Sequence, residues 1–287
     1  MRVAVVGARG QLGSDLVRLF GERGHDVTGL SHQQVDVIEP SSIAAAMAGI
    51  KPEAVINCAA YHRVDECEDK PRETLDANAA GALNVARACE EIGAVCAFIS
   101  SDYVFDGSKG DSYQEEDRTQ PLNVYGVSKV AGEQFVEQTC ERWVVMRVAS
   151  LFGVAGASGK GGNFVETILA KAGSGAPLRV VDDIYMSPTY TLDAAESLEM
   201  LLTNGAHGLH HVTNSGSVSW YGFARKILDL TGVDADLQPT ESKDWPTKAR
   251  RPANSSLRSS RGNDGAGSVV RDWEDALKAY LSEKGHI

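Results

Sequence analysis

The sequence predicts an α/β fold of Rossmann type, a doubly wound parallel sheet with a smaller C-terminal α/β lobe. Two observations carry this. The chain opens on a near-continuous apolar run, Arg2–Val6, that feeds directly into the glycine loop Gly7-Ala8-Arg9-Gly10-Gln11-Leu12-Gly13, as a strand buried on both faces of a parallel sheet would. Strand-length apolar runs then alternate with helical stretches through the first half, which implies right-handed crossovers.

Taken in order, Arg2–Val6 is the first strand and residues 12–22 the first helix. Asp26–Leu30 is the second strand, and 42–48 lies in the second helix. Residues 53–57, 95–99 and 143–147 are further buried strands, 76–91 is helical between them, and 123–138 is a helix preceded by Pro121. In the last, Val124, Val127, Val130 and Phe135 recur near helical period. The adjacent His210 and His211 point to opposite faces of a strand. No internal repeat is found. Two glycine-rich stretches, 153–162 and 262–267, are the clearest loops, and the first, just after a strand end, is a candidate substrate lid.

The glycine loop has the chemistry of a dinucleotide site. Gly7 permits the tight turn, Gly10 lets a backbone approach a pyrophosphate, and Gly13 allows close packing of helix on strand. A carboxylate closing the second strand would receive the ribose 2′-hydroxyl of NAD. Here that strand runs into Ser31-His32-Gln33-Gln34 with no acid. Arg9 inside the loop could meet a 2′-phosphate, so the expectation is NADPH, with NADH as the alternative.

Tyr125 and Lys129 are four residues apart on one helix face. A free tyrosine is too weak an acid to protonate an alkoxide efficiently at neutral pH, and a nearby ammonium would lower its pKa. Tyr125 is thus the candidate acid for reduction of a carbonyl, Lys129 its partner and a holder of the cofactor ribose, and Ser101 a hydrogen-bond donor to the developing oxyanion.

With 28 Lys and Arg against 39 Asp and Glu, the net charge is −11, which argues against nucleic acid or an anionic membrane as partner. No apolar run approaches the ~20 residues that span a bilayer, and a core strand stands where a signal peptide would. A cytoplasmic protein is expected, as a monomer or a homodimer. Cys58, Cys67, Cys89, Cys96 and Cys140 lack metal or redox spacing, so reduced thiols and no metal are expected. Lys243, Lys248, Arg250, Arg251, Arg258 and Arg261 form a basic stretch that could face a diphosphate, or a solvated surface.

These residues resemble the extended short-chain dehydrogenase/reductases and, within them, the dTDP-4-dehydrorhamnose reductases. The matching segments run nearly end to end: Gly7 to Gly13, Val55 to Tyr61, Val64-Asp65, Asn78-Ala79, Ser100 to Gly107, Pro121 to Glu133, Asn163-Phe164, Ser187 to Tyr190, Ser219-Trp220-Tyr221 and Arg251 to Ser255. The resemblance implies reduction of the C4 ketone of a nucleotide-linked 6-deoxy-4-keto sugar, with Ser101, Tyr125 and Lys129 as the catalytic triad. It places Cys58, Ala59, Ala60 and Tyr61 on the cofactor wall and Asp36 and Val37 near the adenine. Gly7, Arg9, Gly10, Gln11, Leu12 and Ser31 fall on the phosphate and ribose side. Asn78 matches an asparagine that orders the proton relay and is counted with the cofactor site. Val64, Asp102, Tyr103, Ser150, Asn163 and Arg251 are implied on the substrate side, beside Ser101 and Tyr125.

Departures from the family pattern also cluster on the substrate side. Ser150 stands where a tryptophan is common, His62-Arg63 replaces small residues, and Ile184-Tyr185-Met186 replaces a glutamine, an aromatic and a glycine. The reaction type is therefore firmer than the identity of the sugar. The resemblance implies dTDP-4-dehydrorhamnose to dTDP-rhamnose, and the departures imply a weaker fit for that sugar, read as a raised KM. Some relatives hold magnesium at a dimer contact; Asp15 could be one ligand, without a matching set. Residues 1–150, completed by about 191–215, are expected to form the cofactor domain, and 151–190 with 216–287 the substrate lobe. Other readings are a different nucleotide-sugar reductase, an epimerase, or a non-catalytic NADP-binding regulatory subunit. A dehydratase is disfavoured, because Asp102 is followed by Tyr103 where an acid would stand.

Overall fold

A computed structural model describes residues 1–156, 162–261 and 271–287. Residues 157–161 of the lid expected at 153–162 lie outside them, as does the second glycine-rich stretch. Strands β1 (Arg2–Val6), β2 (Asp26–Leu30), β3 (Ala54–Asn57), β4 (Val95–Ser101) and β5 (Trp143–Val148) join β10 (Gly208–His211) in one sheet of order β10-β5-β4-β3-β1-β2. Every pairing in it is parallel. The order reverses at β1, so the crevice between the carboxyl ends of β1 and β3 is the topological switch point, the place where such sheets bind ligands.

The pleat explains why β1 is apolar throughout. Val3 and Val5 enter one core with Leu16 and Phe20 of α1 (Gln11–Glu22) and Leu198 of α8 (Thr191–Thr203). Ala4 and Val6 enter the opposite core with Ile43 and Met47 of α2 (Pro40–Ile50) and Val85 of α5 (Gly81–Ile92). Alternate residues face opposite layers, and both layers are dry. Each such aliphatic or aromatic side chain contributes roughly 1.5–3 kcal/mol by burial.

Two expected elements differ. The helix expected over 76–91 begins as a π-helical turn, Asp76–Ala80, before α5. Such a turn adds a residue per loop, often at functional sites, and it turns Asn78 fully inward. β4 runs two residues further than expected, because Ser100 and Ser101 pair in register with Arg147 and Val148.

The remaining elements build a smaller lobe around a third core. β6 (Leu151–Phe152) pairs with β9 (Thr189–Tyr190), β7 (Leu178–Val181) with β12 (Leu237–Thr240), and β8 (Tyr185–Met186) with β11 (Val218–Ser219). Phe152, Tyr190 and Tyr280 interlock there by stacked and edge contacts between 5.4 and 5.8 Å, with α7 (Phe164–Gly173), α9 (Trp220–Thr231) and α10 (Trp273–Lys284) around them.

Candidate active site

The switch point opens into a cleft of about 760 Å³. Its floor is the glycine loop. Gly7 has φ +83°, and a Cβ there would stand 2.9 Å from the Ala59 amide nitrogen, while one on Gly13 would stand 2.4 Å from the Gly7 carbonyl oxygen. The turn therefore requires glycine and brings backbone directly to the cleft. Gly10 caps α1 without a side chain, and the first turn of α1 carries no acid. That helix end keeps its positive dipole for an anion.

Gly7, Arg9, Gly10, Gln11 and Leu12 line the cleft, as do Ser31, Asp36 and Val37 beyond β2 and Cys58, Ala59, Ala60 and Tyr61 beyond β3. On the far side it is lined by Val64, Ser101, Asp102, Tyr103, Tyr125, Lys129 and Ser150. Residues from separate parts of the chain thus converge on one cleft.

Ser101 ends β4. Its hydroxyl accepts from the Tyr103 amide (3.2 Å) and donates to Asp102 Oδ1 (2.9 Å). Tyr125 and Lys129 lie on α6 (Val124–Thr139), whose cap is Asn123 accepting from Gly126 N at 2.8 Å. The cap is braced from outside: Asn123 donates to the Arg250 carbonyl (2.9 Å), and the Val124 amide donates to Glu68 (2.8 Å) of α3 (Val64–Asp69).

Electrostatics correct one expectation. Tyr125 is not held low by Lys129. Burial raises its phenol well above the usual tyrosine range, Asp102, Cys67 and Tyr103 push the same way, and only Ser101 beside it works in the opposite sense. For a reduction this keeps Tyr125 in the proton-bearing form. Lys129 is 2% exposed with Nζ 4.2 Å from the centre of the Phe98 ring. Burial pushes it down to about 8, opposed by Glu133. Asp102, buried beneath Ser101, is pushed up to about 6 by desolvation, against hydrogen bonds from Ser255 and Ser101.

Three expected residues do not line the cleft. Asn78 is fully buried and spends its amide on structure: Oδ1 accepts from Tyr61 N (2.7 Å), and Nδ2 donates to Tyr61 O (3.0 Å) and Ser128 Oγ (2.9 Å). It shapes the cofactor wall from behind. Asn163 caps α7 and donates to Gly153 O and Tyr280 Oη, inside the smaller lobe. Arg251 forms a two-pronged pair with Asp65, both arms at 2.9 Å, because a planar guanidinium matches a carboxylate edge. Its neighbours in the basic stretch are also engaged: Lys248 with Asp69, Lys243 with Glu241, Arg258 with Asp111. None of the six basic residues of that stretch lines the cleft.

Of the substrate-side departures, His62 and Ser150 line the cleft. Tyr185 is exposed, and Met186 is buried in the smaller lobe's core, so neither shapes it. Ser150 adopts φ +43°, an uncommon conformation for any residue with a Cβ. Asp15, weighed as a metal ligand, is occupied by Thr191 Oγ1 (2.5 Å) and Arg18 (3.0 Å).

The sequence missed His32, beside Ser31, and Trp220, the first residue of α9, which brings an aromatic wall from the smaller lobe. Trp220 leans on Phe164 with ring centroids 4.6 Å apart. The legible signal was an aromatic directly after a serine cap. No helix among the described residues is long and apolar enough to cross a membrane.

The chain is similar to the spore coat polysaccharide biosynthesis protein SpsK of Bacillus subtilis (strain 168), at 36% identity covering 99% of this chain and 98% of that protein. It is also similar to the dTDP-4-dehydrorhamnose reductase of Streptomyces griseus, at 36% identity covering 96% and 91%. Among solved structures, the dTDP-4-dehydrorhamnose reductase of Bacillus anthracis in complex with NADP superposes with a TM-score of 0.93 at 32% identity, over 98% of this chain and 99% of that one. The family model described as the RmlD substrate binding domain matches residues 1–285. With that match spanning almost the whole sequence, the chain belongs to the RmlD family.

Proposed function

We propose that this protein reduces the C4 ketone of a nucleotide-linked 6-deoxy-4-keto sugar, dTDP-4-dehydrorhamnose to dTDP-rhamnose, using NADPH. The observation that carries the reading is the convergence of Ser101, Tyr125 and Lys129 on the cleft that also holds the Gly7 turn. The relatives named as dTDP-4-dehydrorhamnose reductases give the substrate.

The residues present fit the cofactor. A backbone cradle that a Cβ would fill and an uncapped helix N-terminus suit a pyrophosphate. The end of β2 offers Ser31 and His32 beside the loop that carries Arg9, and the first lining carboxylate past the strand is Asp36, so the strand end itself suits a 2′-phosphate. Bound there, NADPH supplies the hydride.

The chain's own groups do the rest. Ser101 Oγ orients the ketone oxygen, and Tyr125 Oη gives that oxygen its proton as negative charge develops. Lys129 holds the ribose and offsets the phenolate left behind. Val64, Asp102, Tyr103 and Ser150 border the sugar, and Trp220 closes the site from the smaller lobe. In this reading residues 1–150 with 191–215 serve the cofactor, and 151–190 with 216–287 the sugar nucleotide.

The test is Tyr125→Phe, assayed for NADPH oxidation with dTDP-4-dehydrorhamnose. Turnover should fall by about 10²-fold or more with NADPH affinity nearly unchanged. Wild-type turnover in that variant would remove Tyr125 as the acid, and tighter binding of NADH than of NADPH would remove the cofactor assignment.

A further inference from the structure

Behind Tyr125 and Lys129, α6 carries a third ionisable residue on the same face. Glu133 lies one more turn along, and it is 8% exposed. Both central strands grip it. From β5, Arg147 donates Nε to Oε1 (2.8 Å) and Nη2 to Oε2 (2.7 Å); from β4, Ser100 Oγ donates to Oε1 (2.5 Å). Ser100 and Arg147 are register partners across the sheet, and Ser100 directly precedes Ser101.

The charges here are few enough to count. Lys129 and Arg147 are 2% and 3% exposed, and Glu133 is the carboxylate that faces both. Among the described residues, Glu133 is the carboxylate paired with Arg147; other titratable groups pack around them. His211 on β10 accepts from Arg147 at 3.4 Å through Nε2 while Nδ1 faces the Tyr113 carbonyl at 3.1 Å, the pattern of a neutral ring. The Cys58 thiol, facing Lys129 from the end of β3, is pushed up to about 12 by burial. Tyr125 is held as the phenol. Asp102, raised to about 6 beneath Ser101, and Glu115, held down to about 2 and accepting from the His211 amide, are ionised at neutral pH. Arg147, however, makes its ion pair with Glu133, and Lys129 is held up by Glu133 and Cys58.

We propose that Glu133 is a positioning residue for the reduction: as a counterion shared by Arg147 and Lys129, it keeps Lys129 an ammonium beside Tyr125 and ties α6 to the strand that carries Ser101. This rests on the reductase reading for its catalytic meaning, and its physics can be read without turnover. Lys129 is already depressed to about 8 with Glu133 in place. Removing that charge while keeping the shape leaves two buried cations without the carboxylate they share, which drives Lys129 toward the neutral amine. Removing Arg147 instead leaves Glu133 to Lys129 alone and has the opposite sign.

The experiment is a direct titration of Lys129 in the full chain, by NMR of 13Cε-labelled lysine, with the resonance assigned by its loss in Lys129→Met. Glu133→Gln should lower the Lys129 midpoint by about one pH unit or more, and Arg147→Met should raise it. Ser100→Ala, which removes a hydrogen bond and no charge, should leave it in place. The alkaline limb of the kcat profile should move with the midpoint in each active variant. If Glu133→Gln does not fold by circular dichroism, the upward shift in Arg147→Met carries the test. Unmoved midpoints in the charge variants, or an equal shift in Ser100→Ala, would overturn the proposal. A chain that reduces the ketosugar with an unshifted Lys129 fails this proposal alone; one that shows the shifts and reduces no ketosugar fails the functional reading alone.

Discussion

The rings of Tyr103 and Tyr125 meet edge to face, with centroids 6.2 Å apart and planes at 79°. Gly126 makes the approach possible: a Cβ on it would stand 2.1 Å from the Tyr103 carbonyl oxygen and 2.8 Å from Pro121 Cβ. The start of α6 is thus seated on the backbone that follows Ser101.

Gly126→Ala tests that seat. In an open helix the change would stabilise by up to about 1 kcal/mol. Here the obstructing atoms are backbone, so overpacking should cost roughly 1–3 kcal/mol and move Tyr125 away from Ser101. The expected result is a lower melting temperature and a kcat reduced by at least ~10-fold, since small misplacements of an acid are costly. An alanine variant more stable than the parent with unchanged kcat would show that the contact does not set the geometry.

Arg251 and Asp65 are expected to act as one unit. Their pair, with Ala249 N also donating to Asp65 (2.9 Å), straps the 249–251 segment to α3 beside the cleft, and Arg251 holds Asp65 below its ordinary range. Arg251→Lys loses the two-pronged geometry. It should raise KM for the nucleotide sugar severalfold with kcat less affected, and Asp65→Asn should do the same. The double variant should be no worse than either single one. Fully additive losses would mean that Arg251 binds the substrate itself.

Acid should weaken the fold partly through His211. Burial, the largest cause, and Arg147 push it down to about 4. The unfolded chain takes up this proton below its ordinary pKa, near 6.5, and the folded chain only near 4. Stability attributable to His211 is therefore present above about 6.5 and lost as pH falls towards 4, about 2 kcal/mol of it between pH 7 and 5. Asp102, raised to about 6, works in the opposite sense over the same range by about 1 kcal/mol. Chemical denaturation at pH 7 and pH 5 should show a smaller loss for His211→Gln than for the parent. An equal loss in both would place the acid sensitivity elsewhere.

What the sequence made legible was local. The apolar run of β1, the glycine turn and the Tyr125/Lys129 spacing each depend on residues within one turn or one strand, and each was found where expected. What it hid depends on distance along the chain or on burial. Arg251 meets Asp65 across 186 residues, so its carboxylate partner could not be read from the basic stretch around it. The Tyr125 shift comes from desolvation, which no spacing reveals. Asn78 faces inward because of a π-helical turn that periodicity does not signal. Ser150 is the residue whose backbone conformation most changes the sequence reading. At φ +43° a tryptophan would meet strain as well as space, while an aromatic wall reaches the cleft from Trp220 instead.

The central claim is hydride delivery to C4 of the sugar with proton delivery from Tyr125. The most direct measurement uses NADPH deuterated on the transferring face of its nicotinamide, dTDP-4-dehydrorhamnose and the intact chain, with the product read by NMR. Deuterium at C4 of the dTDP-rhamnose formed, together with near-complete loss of product in Tyr125→Phe, is the expected result. Oxidation of NADPH with no deuterium at C4, or no product from the intact chain at all, would contradict it.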